Sequence, residues 1–392
     1  MRVAHLITRM IVGGAQENTL FNCEDLIRDF GDEVLLVTGP ALGPEGDLLG
    51  QGRGAGAPAV PMRLVPSLRR AIDPIRDWQS YGELKRVIRE FQPDVVHTHS
   101  AKAGFLGRLA AWSLRVPAIV HTVHGAPFHP YQNFAARELF RRCERYAAGR
   151  CHALISVADA MTDLMVGAGV APREKFTTIY SGMDVEPFLR ADEHRERVRR
   201  ELGFEPQHVV IGKIARLFHL KGHEDVITAA RCLDRDPNLR FLFVGDGLLR
   251  DKLQRMIDDA GMHERFRFTG LVPPSRIPEL IGAMDILVHA SLREGLARAL
   301  SQALIAGKPV VSYDIDGARE VCIDGETGFL VRPRQFKDLV EPLARLAGDE
   351  ALRHRLGRAG RGRFTEQFRH QTMTRQIREL HQRVLGGAER ME

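Results

Sequence analysis

The sequence predicts an α/β fold made of two doubly wound domains, each a parallel sheet with helices on both faces. Three observations carry this reading. At 392 residues the chain is too long for one ordinary hydrophobic core. Short apolar runs alternate with helix-length amphipathic segments almost from end to end. That alternation breaks once, near Ser181–Asp192, and then restarts. With 44% hydrophobic and 27% charged residues, the composition is that of a globular protein and excludes a disordered chain.

The elements follow in order. Val3–Leu6, Val34–Thr38, Val95–Thr98, Ala118–Val123 and Ala153–Val157 read as buried parallel strands, being short, apolar and largely β-branched. Ala15–Asp29, Gly82–Phe91, Ala103–Leu114 and Ala135–Ala148 read as the helices between them. After the break, Val209–Ile214, Phe241–Val244, Phe266–Thr269, Ile286–Val288 and Pro309–Ser312 form a second strand set, again separated by helices. The predicted division is residues 1–190, residues 191–365, and a C-terminal helix within 366–392 that packs back towards the first domain. Residues 40–58, rich in Gly and Pro, read as a mobile surface loop.

Bulk properties narrow the function classes. Cys23, Cys143, Cys151, Cys232 and Cys322 are odd in number and scattered, which predicts reduced thiols in a cytoplasmic protein. No leader-like apolar segment is seen, and no apolar run approaches the ~20 residues that span a bilayer. The net charge is +6, and residues 61–150 hold fifteen Lys or Arg against seven Asp or Glu. Such a region suits anionic lipid or phosphate, or is simply a solvated basic face. Nucleic acid is not expected as a partner, since no recognition module is visible.

Three segments carry chemistry. The turn Met10-Ile11-Val12-Gly13-Gly14-Ala15 joins the first strand to the first helix, where Gly13 and Gly14 either let amides approach an anion or simply make the turn. A dinucleotide site is excluded twice over. There is no GxGxxG, and the second strand ends in Val37-Thr38-Gly39-Pro40 without an acidic ribose ligand. In the second segment, Arg216 follows a strand and Lys221-Gly222-His223 precedes a helix. Two cations there can face one diphosphate, and the helix N-terminus adds about half a positive charge; the plain alternative is two surface cations beside a turn. In the third, a strand delivers Glu294 and Gly295 to the sheet edge and a helix is expected to start at once. Glu294 then faces sugar hydroxyls, the amides of Gly295 and Leu296 face phosphate oxygens, and Gln302 faces a ribose; alternatively Glu294 caps the helix and Gln302 is a solvated surface residue.

In this order and spacing the pieces resemble the retaining GT-B glycosyltransferases of family four, over nearly the whole chain. The resemblance takes in Gly13-Gly14, Asp94-Val95-Val96-His97-Thr98-His99, His121-Thr122-Val123-His124-Gly125 and Ser181-Gly182-Met183-Asp184. It continues with Arg216 and Lys221-Gly222, Gly245-Asp246-Gly247, and Glu294-Gly295-Leu296 through Gly307-Lys308-Pro309-Val310-Val311. It implies two facing Rossmann-like domains with an interdomain cleft. It further implies a reaction in which a UDP- or GDP-sugar donates its sugar to an acceptor hydroxyl with retention. Arg216 and Lys221 are implied at the donor diphosphate, Glu294 at the donor sugar, and Gly295 and Leu296 at its phosphates. Gly14 closes the donor loop, Gly245 and Asp246 belong to the donor site, and His124 sits near the reacting centre. Where the family usually has a second glutamate, this chain has Gln302, whose amide oxygen can still bond a diol. A GT-B nucleotide-sugar epimerase and a non-catalytic nucleotide-sugar-binding protein are the alternatives.

Four of the sixteen histidines, His97, His99, His121 and His124, crowd into one stretch. Some of them must point into the sheet and be satisfied there. A metal cluster is the competing reading, but no carboxylate or cysteine shares the spacing, and the expectation is no metal and no cofactor. His99 and Lys102 are candidate acceptor contacts, Lys102 for an acceptor phosphate. The expected acceptor is a glycan or lipid-linked precursor at the inner face of the cytoplasmic membrane. The segment Phe134–Ala148 is the candidate membrane contact: Phe134, Leu139, Phe140 and Tyr146 face lipid, with Arg137, Arg141, Arg142 and Arg145 at headgroups, or else those apolar side chains face the core.

Overall fold

The computed structural model describes residues 1–42, 46–51 and 58–388. The chain forms two compact units, Met1–Met183 with Phe368–Glu392, and Asp184–Gln367.

In the first unit a seven-stranded parallel sheet has the order β3-β2-β1-β4-β5-β6-β7. The strands are β1 (Arg2–Arg9), β2 (Glu33–Gly39), β3 (Met62–Leu64), β4 (Val95–His99), β5 (Ala118–Val123), β6 (Ala153–Ser156) and β7 (Phe176–Thr178). Helices α1 (Gly14–Phe30), α2 (Pro74–Phe91), α3 (Ala101–Ser113), α4 (Phe134–Ala148) and α5 (Asp159–Gly167) connect them. The α2 helix starts earlier than its apolar periodicity suggests, because Pro74 occupies its first turn and Asp73 accepts a hydrogen bond from Arg76 N at 3.1 Å. Of the expected loop 40–58, residues 43–45 and 52–57 lie outside the described residues. The part described is tied to the β1–α1 turn, with Val12 N donating to Gly46 O and Leu48 N to Met10 O.

The second unit opens with α6 (Glu186–Leu189) and α7 (Arg195–Glu201). Its strands are β8 (Val209–Ile214), β9 (Leu239–Val244), β10 (Phe266–Phe268), β11 (Ile286–His289), β12 (Val310–Tyr313) and β13 (Gly328–Val331). They form a parallel sheet ordered β10-β9-β8-β11-β12-β13. Helices α8 (His223–Cys232), α9 (Arg250–Asp259), α10 (Ile277–Ala283), α11 (Arg298–Ile305), α12 (Phe336–Gly348) and α13 (Glu350–Phe364) cover it. Ile211, Phe241, Phe243, Val288 and Leu343 are among its fully buried core residues.

The last helix, α14 (His370–Ala388), belongs to the first unit. Its Met373, Ile377 and Leu380 join Val120, Ala153, Ile155 and Ile179 in one buried cluster. Polar groups fix its register against α1: Asp25 Oδ2 accepts from His370 Nδ1 at 2.7 Å and from Thr374 Oγ1 at 2.9 Å.

Candidate active site

In an open parallel sheet, ligands sit beyond the carboxyl ends of the strands, where the strand order reverses. In the second unit that point lies between β8 and β11, the two neighbours from which the order runs outward in both directions. The β8–α8 turn carries Arg216 and Lys221, and the segment after β11 carries Glu294. The turn must come close, and Gly222 allows it: its φ is +67°, and a Cβ there would lie 1.9 Å from Ala290 O. Lys221 Nζ thereby reaches Glu294 Oε1 at 2.6 Å. Residues 73 positions apart in sequence become one ion pair.

Arg216 lies over the Phe218 ring, 4.9 Å from its centroid. The loop after β9 braces this turn. Gly245 has φ +134°, and a Cβ there would meet Ala215 O at 2.2 Å, so the close approach demands glycine. Leu217 N donates to Asp246 O at 2.9 Å, and the Asp246 carboxylate accepts from Gly247 N at 2.7 Å. Gly245 and Asp246 thus shape the backbone that presents Arg216.

The electrostatics centre on Glu294. Burial pushes its carboxyl up, but hydrogen bonding and charge from His289 and Lys221 outweigh this and hold it well below the usual carboxylate range. His289, 3.5 Å away, and Asp316, whose Oδ2 accepts from Glu294 N at 2.6 Å, were not apparent in the sequence. His289 ends β11, just ahead of Glu294 in the same segment, whereas Asp316 is brought in by the pairing of β11 with β12, which leaves no local pattern. The helix after Glu294 begins later than expected: α11 starts at Arg298, with Ala297 as its cap. Gly295 and Leu296 therefore lie in the turn ahead of the helix, because Glu294 is held by Asp316 and the chain needs those residues to reach the helical path. Gln302 is half-buried on α11.

In the first unit Gly13 is extended, with φ 174°, a conformation open to any residue, and Gly14 opens α1. The four histidines of the β4–β5 region are all tied in, and two more join them. His97 Nε2 meets Thr122 Oγ1 at 2.7 Å, and His97 Nδ1 meets His381 Nε2 at 3.2 Å. His121 Nδ1 meets Thr98 Oγ1 at 2.9 Å. His99 meets His5 through Nε2 and His124 through Nδ1, each at 3.1 Å. Burial pushes His97, His99 and His121 well below the usual imidazole range, and His5 and His381 down to about 3, so these rings are neutral.

His99, a candidate acceptor contact, is fully buried between other imidazoles. The ammonium of Lys102, the other candidate acceptor contact, is held by Asp77 at 2.5 Å and by Ala71 O. His5, His97 and His99 offer ring nitrogens within 4.8 Å of one another. The rings of His97 and His99 stack at 4.4 Å, and both nitrogens of His97 are engaged, which is the geometry of hydrogen-bonded chains.

On α4 the alternatives separate. Phe134, Leu139 and Tyr146 are 73%, 54% and 50% exposed and do not face the core, whereas Phe140 is half-buried. Arg141 and Arg142 bond Glu138 at 2.8 and 2.7 Å, and Arg145 Nε donates to Gly169 O at 2.6 Å. Among the described residues no helix is long and apolar enough to cross a membrane.

Two Rossmann-like units, with a cation pair and a carboxylate gathered at the switch point of the second, define a GT-B glycosyltransferase. Comparison with known proteins agrees: residues 194–363 match the family described as glycosyl transferases group 1, and residues 14–182 match the glycosyl transferase 4-like domain. The chain belongs to the group 1 glycosyltransferases. It is 28% identical over 356 residues to the Escherichia coli UDP-Gal:alpha-D-GlcNAc-diphosphoundecaprenol alpha-1,3-galactosyltransferase, covering 90% of this chain and 89% of that one. It is 23% identical to the capsular polysaccharide biosynthesis glycosyltransferase CapM of Staphylococcus aureus, covering 83% and 86%. The crystal structure of Anabaena HepE in complex with UDP has the same fold, with a TM-score of 0.81 and 24% identity over 97% of this chain and 99% of that one. These relatives do not favour the epimerase or the non-catalytic reading.

Proposed function

We propose that this glycosyltransferase moves a sugar from a nucleotide sugar to a hydroxyl of a lipid-linked glycan precursor, with retention of anomeric configuration and without a metal. The observation that carries this reading is the meeting of Lys221 and Glu294 beside Arg216 at the β8/β11 switch point. The bond between the sugar anomeric carbon and the β-phosphate oxygen breaks, and its electron pair leaves with the nucleoside diphosphate. A bond from the acceptor oxygen to that carbon forms, and the acceptor proton passes to the departing diphosphate. Arg216, Lys221 and the start of α8 stabilise the charge that builds on the leaving group. Glu294 orients the sugar hydroxyls, Gly295 and Leu296 donate amides to phosphate, and Gln302 holds the ribose. Gly13 and Gly14 close over the donor, and His124 acts beside the anomeric carbon. The name of the E. coli relative makes UDP-sugars and diphosphoundecaprenol-linked acceptors the first to test.

Replacing Arg216 or Lys221 by alanine is expected to lower turnover about 100-fold or more, the scale for losing one preorganised donor. Steady-state transfer assays with and without EDTA check both claims. Unchanged turnover in both variants refutes the site, and activity that returns only with added Mg²⁺ or Mn²⁺ refutes metal independence.

The acceptor reading brings the protein to an anionic membrane surface, where each nearby Lys or Arg contributes about 1 kcal/mol. The exposed Phe134, Leu139 and Tyr146 of α4 supply apolar contact. Co-sedimentation with anionic but not neutral vesicles, weakened by salt, is the expected result. No binding to anionic vesicles at low salt removes the membrane from the proposal.

A further inference from the structure

His5, His99 and His124 form a single hydrogen-bonded file. His5 Nδ1 meets His99 Nε2, and His99 Nδ1 meets His124 Nε2, each at 3.1 Å. Strand pairing aligns the file, since β1 and β4 run in register with His5 opposite His97, and His99 lies two residues on. A strained residue fixes its middle. Ser100, immediately after His99, has φ 60° and ψ 161°, outside the regions open to most side chains. Its Oγ is anchored to Thr8 Oγ1 at 2.7 Å.

A neutral imidazole carries one N–H and one bare nitrogen, so the protons of such a file run in one direction only. One direction leaves an N–H on His5 Nε2, and the other leaves a bare nitrogen there. His5 Nε2 is buried and has no hydrogen-bond partner. Orphaned buried N–H groups are rarer than under-satisfied acceptors, so the protons run from His5 towards His124. His5 Nδ1–H then donates to His99 Nε2, and His99 Nδ1–H donates to His124 Nε2.

We infer that His5 and His99 are positioning residues that hold His124 as the neutral tautomer protonated at Nδ1. His124 then serves as a hydrogen-bond donor to a sugar oxygen and takes no proton from the acceptor. That division of labour leaves acceptor deprotonation to the departing diphosphate. The consequence for the reaction rests on the reading of His124 above; the tautomer itself does not.

The experiment is a long-range ¹⁵N–¹H correlation spectrum of the full chain labelled at histidine, with His124 assigned by comparison with His124→Gln. The expected spectrum shows His124 protonated at Nδ1 and bare at Nε2. Replacing His99 by leucine removes the donor and is expected to shift His124 towards the Nε2–H form, with kcat lowered about 10-fold or more, as when an orienting outer partner is lost, and donor KM little changed. His5→Asn keeps a donor where Nδ1 stood and retains the tautomer, whereas His5→Leu does not. Thermal melting shows which variants are folded, and the parent spectrum needs no variant to be decisive. His124 protonated at Nε2 in the parent, or a tautomer unmoved by His99→Leu in folded protein, overturns the inference. The expected tautomer together with full activity in His124→Ala upholds it and instead removes His124 from the reacting centre.

Discussion

Lys213 places an ammonium in the middle of a core strand. It lies on β8, fully buried, and its Nζ has no hydrogen-bond partner. Burial, and then the like charge of Lys221, push its pKa down to about 7. An unfolded lysine titrates near 10.4. Below about pH 7 both states hold the proton and the full penalty of burying it is present. Between about 7 and 10.4 the unfolded chain holds a proton that the folded chain has lost, so stability rises with pH across that window. A tenfold change in proton affinity is worth about 1.4 kcal/mol, so the effect is on the order of a few kcal/mol. Lys213→Met is expected to be more stable than the parent at pH 6 and to flatten the rise between pH 7 and 9, as read by urea denaturation at several pH values. Parallel profiles would show that Lys213 has a stabilising partner. Nothing in the run Val209–Ile214 announces this, because the run reads only as one strand of the second set. Arg216, Lys221 and Glu294 were legible because each sits at a strand end beside a turn. The meeting of Lys221 with Glu294 at 2.6 Å, and the roles of His5 and Asp316, depend on which strands are neighbours, which local sequence does not encode.

At the scale of elements, the strands legible in the sequence were those with continuous apolar runs. The short edge strands β3, β7 and β13 were not, since Met62, Arg63 and Leu64 are all exposed and Phe176–Thr178 is only half-buried. Edge position removes the burial that makes a run apolar. The start of α11 falls later than local sequence suggests for a related reason, because the preceding turn is held by Asp316 from the segment after β12. The β8–α8 turn depends on Gly222, which combines a left-handed φ with contact to Ala290. Gly222→Ala is expected to displace Lys221 and lower turnover beyond its effect on stability. Gly325→Ala is the control, since Gly325 has φ +72° but nothing within 4 Å of an added Cβ. The control is expected to lose about 1–2 kcal/mol and keep its turnover. Equal turnover losses in the two variants would separate Gly222 from the site.

At the scale of the whole molecule, each unit carries its own core, and the first is completed by a helix from the far end of the chain. The sequence suggested a polar terminal helix but not its fastening. Asp25, its side chain inaccessible to solvent, accepts from His370, Thr374 and Arg28, while Arg378 Nε reaches Asp32 at 2.9 Å. Removing the Asp25 carboxylate leaves the buried donors of His370 and Thr374 without this acceptor, at a cost of about 1–3 kcal/mol for an unsatisfied buried group. Asp25→Ala is therefore expected to loosen α14 first. Hydrogen exchange of its amides should quicken, together with that of α1 and of β5, whose Val120 shares the cluster of Met373 and Ile377. Amides of β8 and β9 in the second unit should keep their protection, because none of the bonds lost lies there. Uniform acceleration across both units would mean that the chain unfolds as one cooperative block, and that α14 is a clasp for the entire molecule instead of the last layer of one unit.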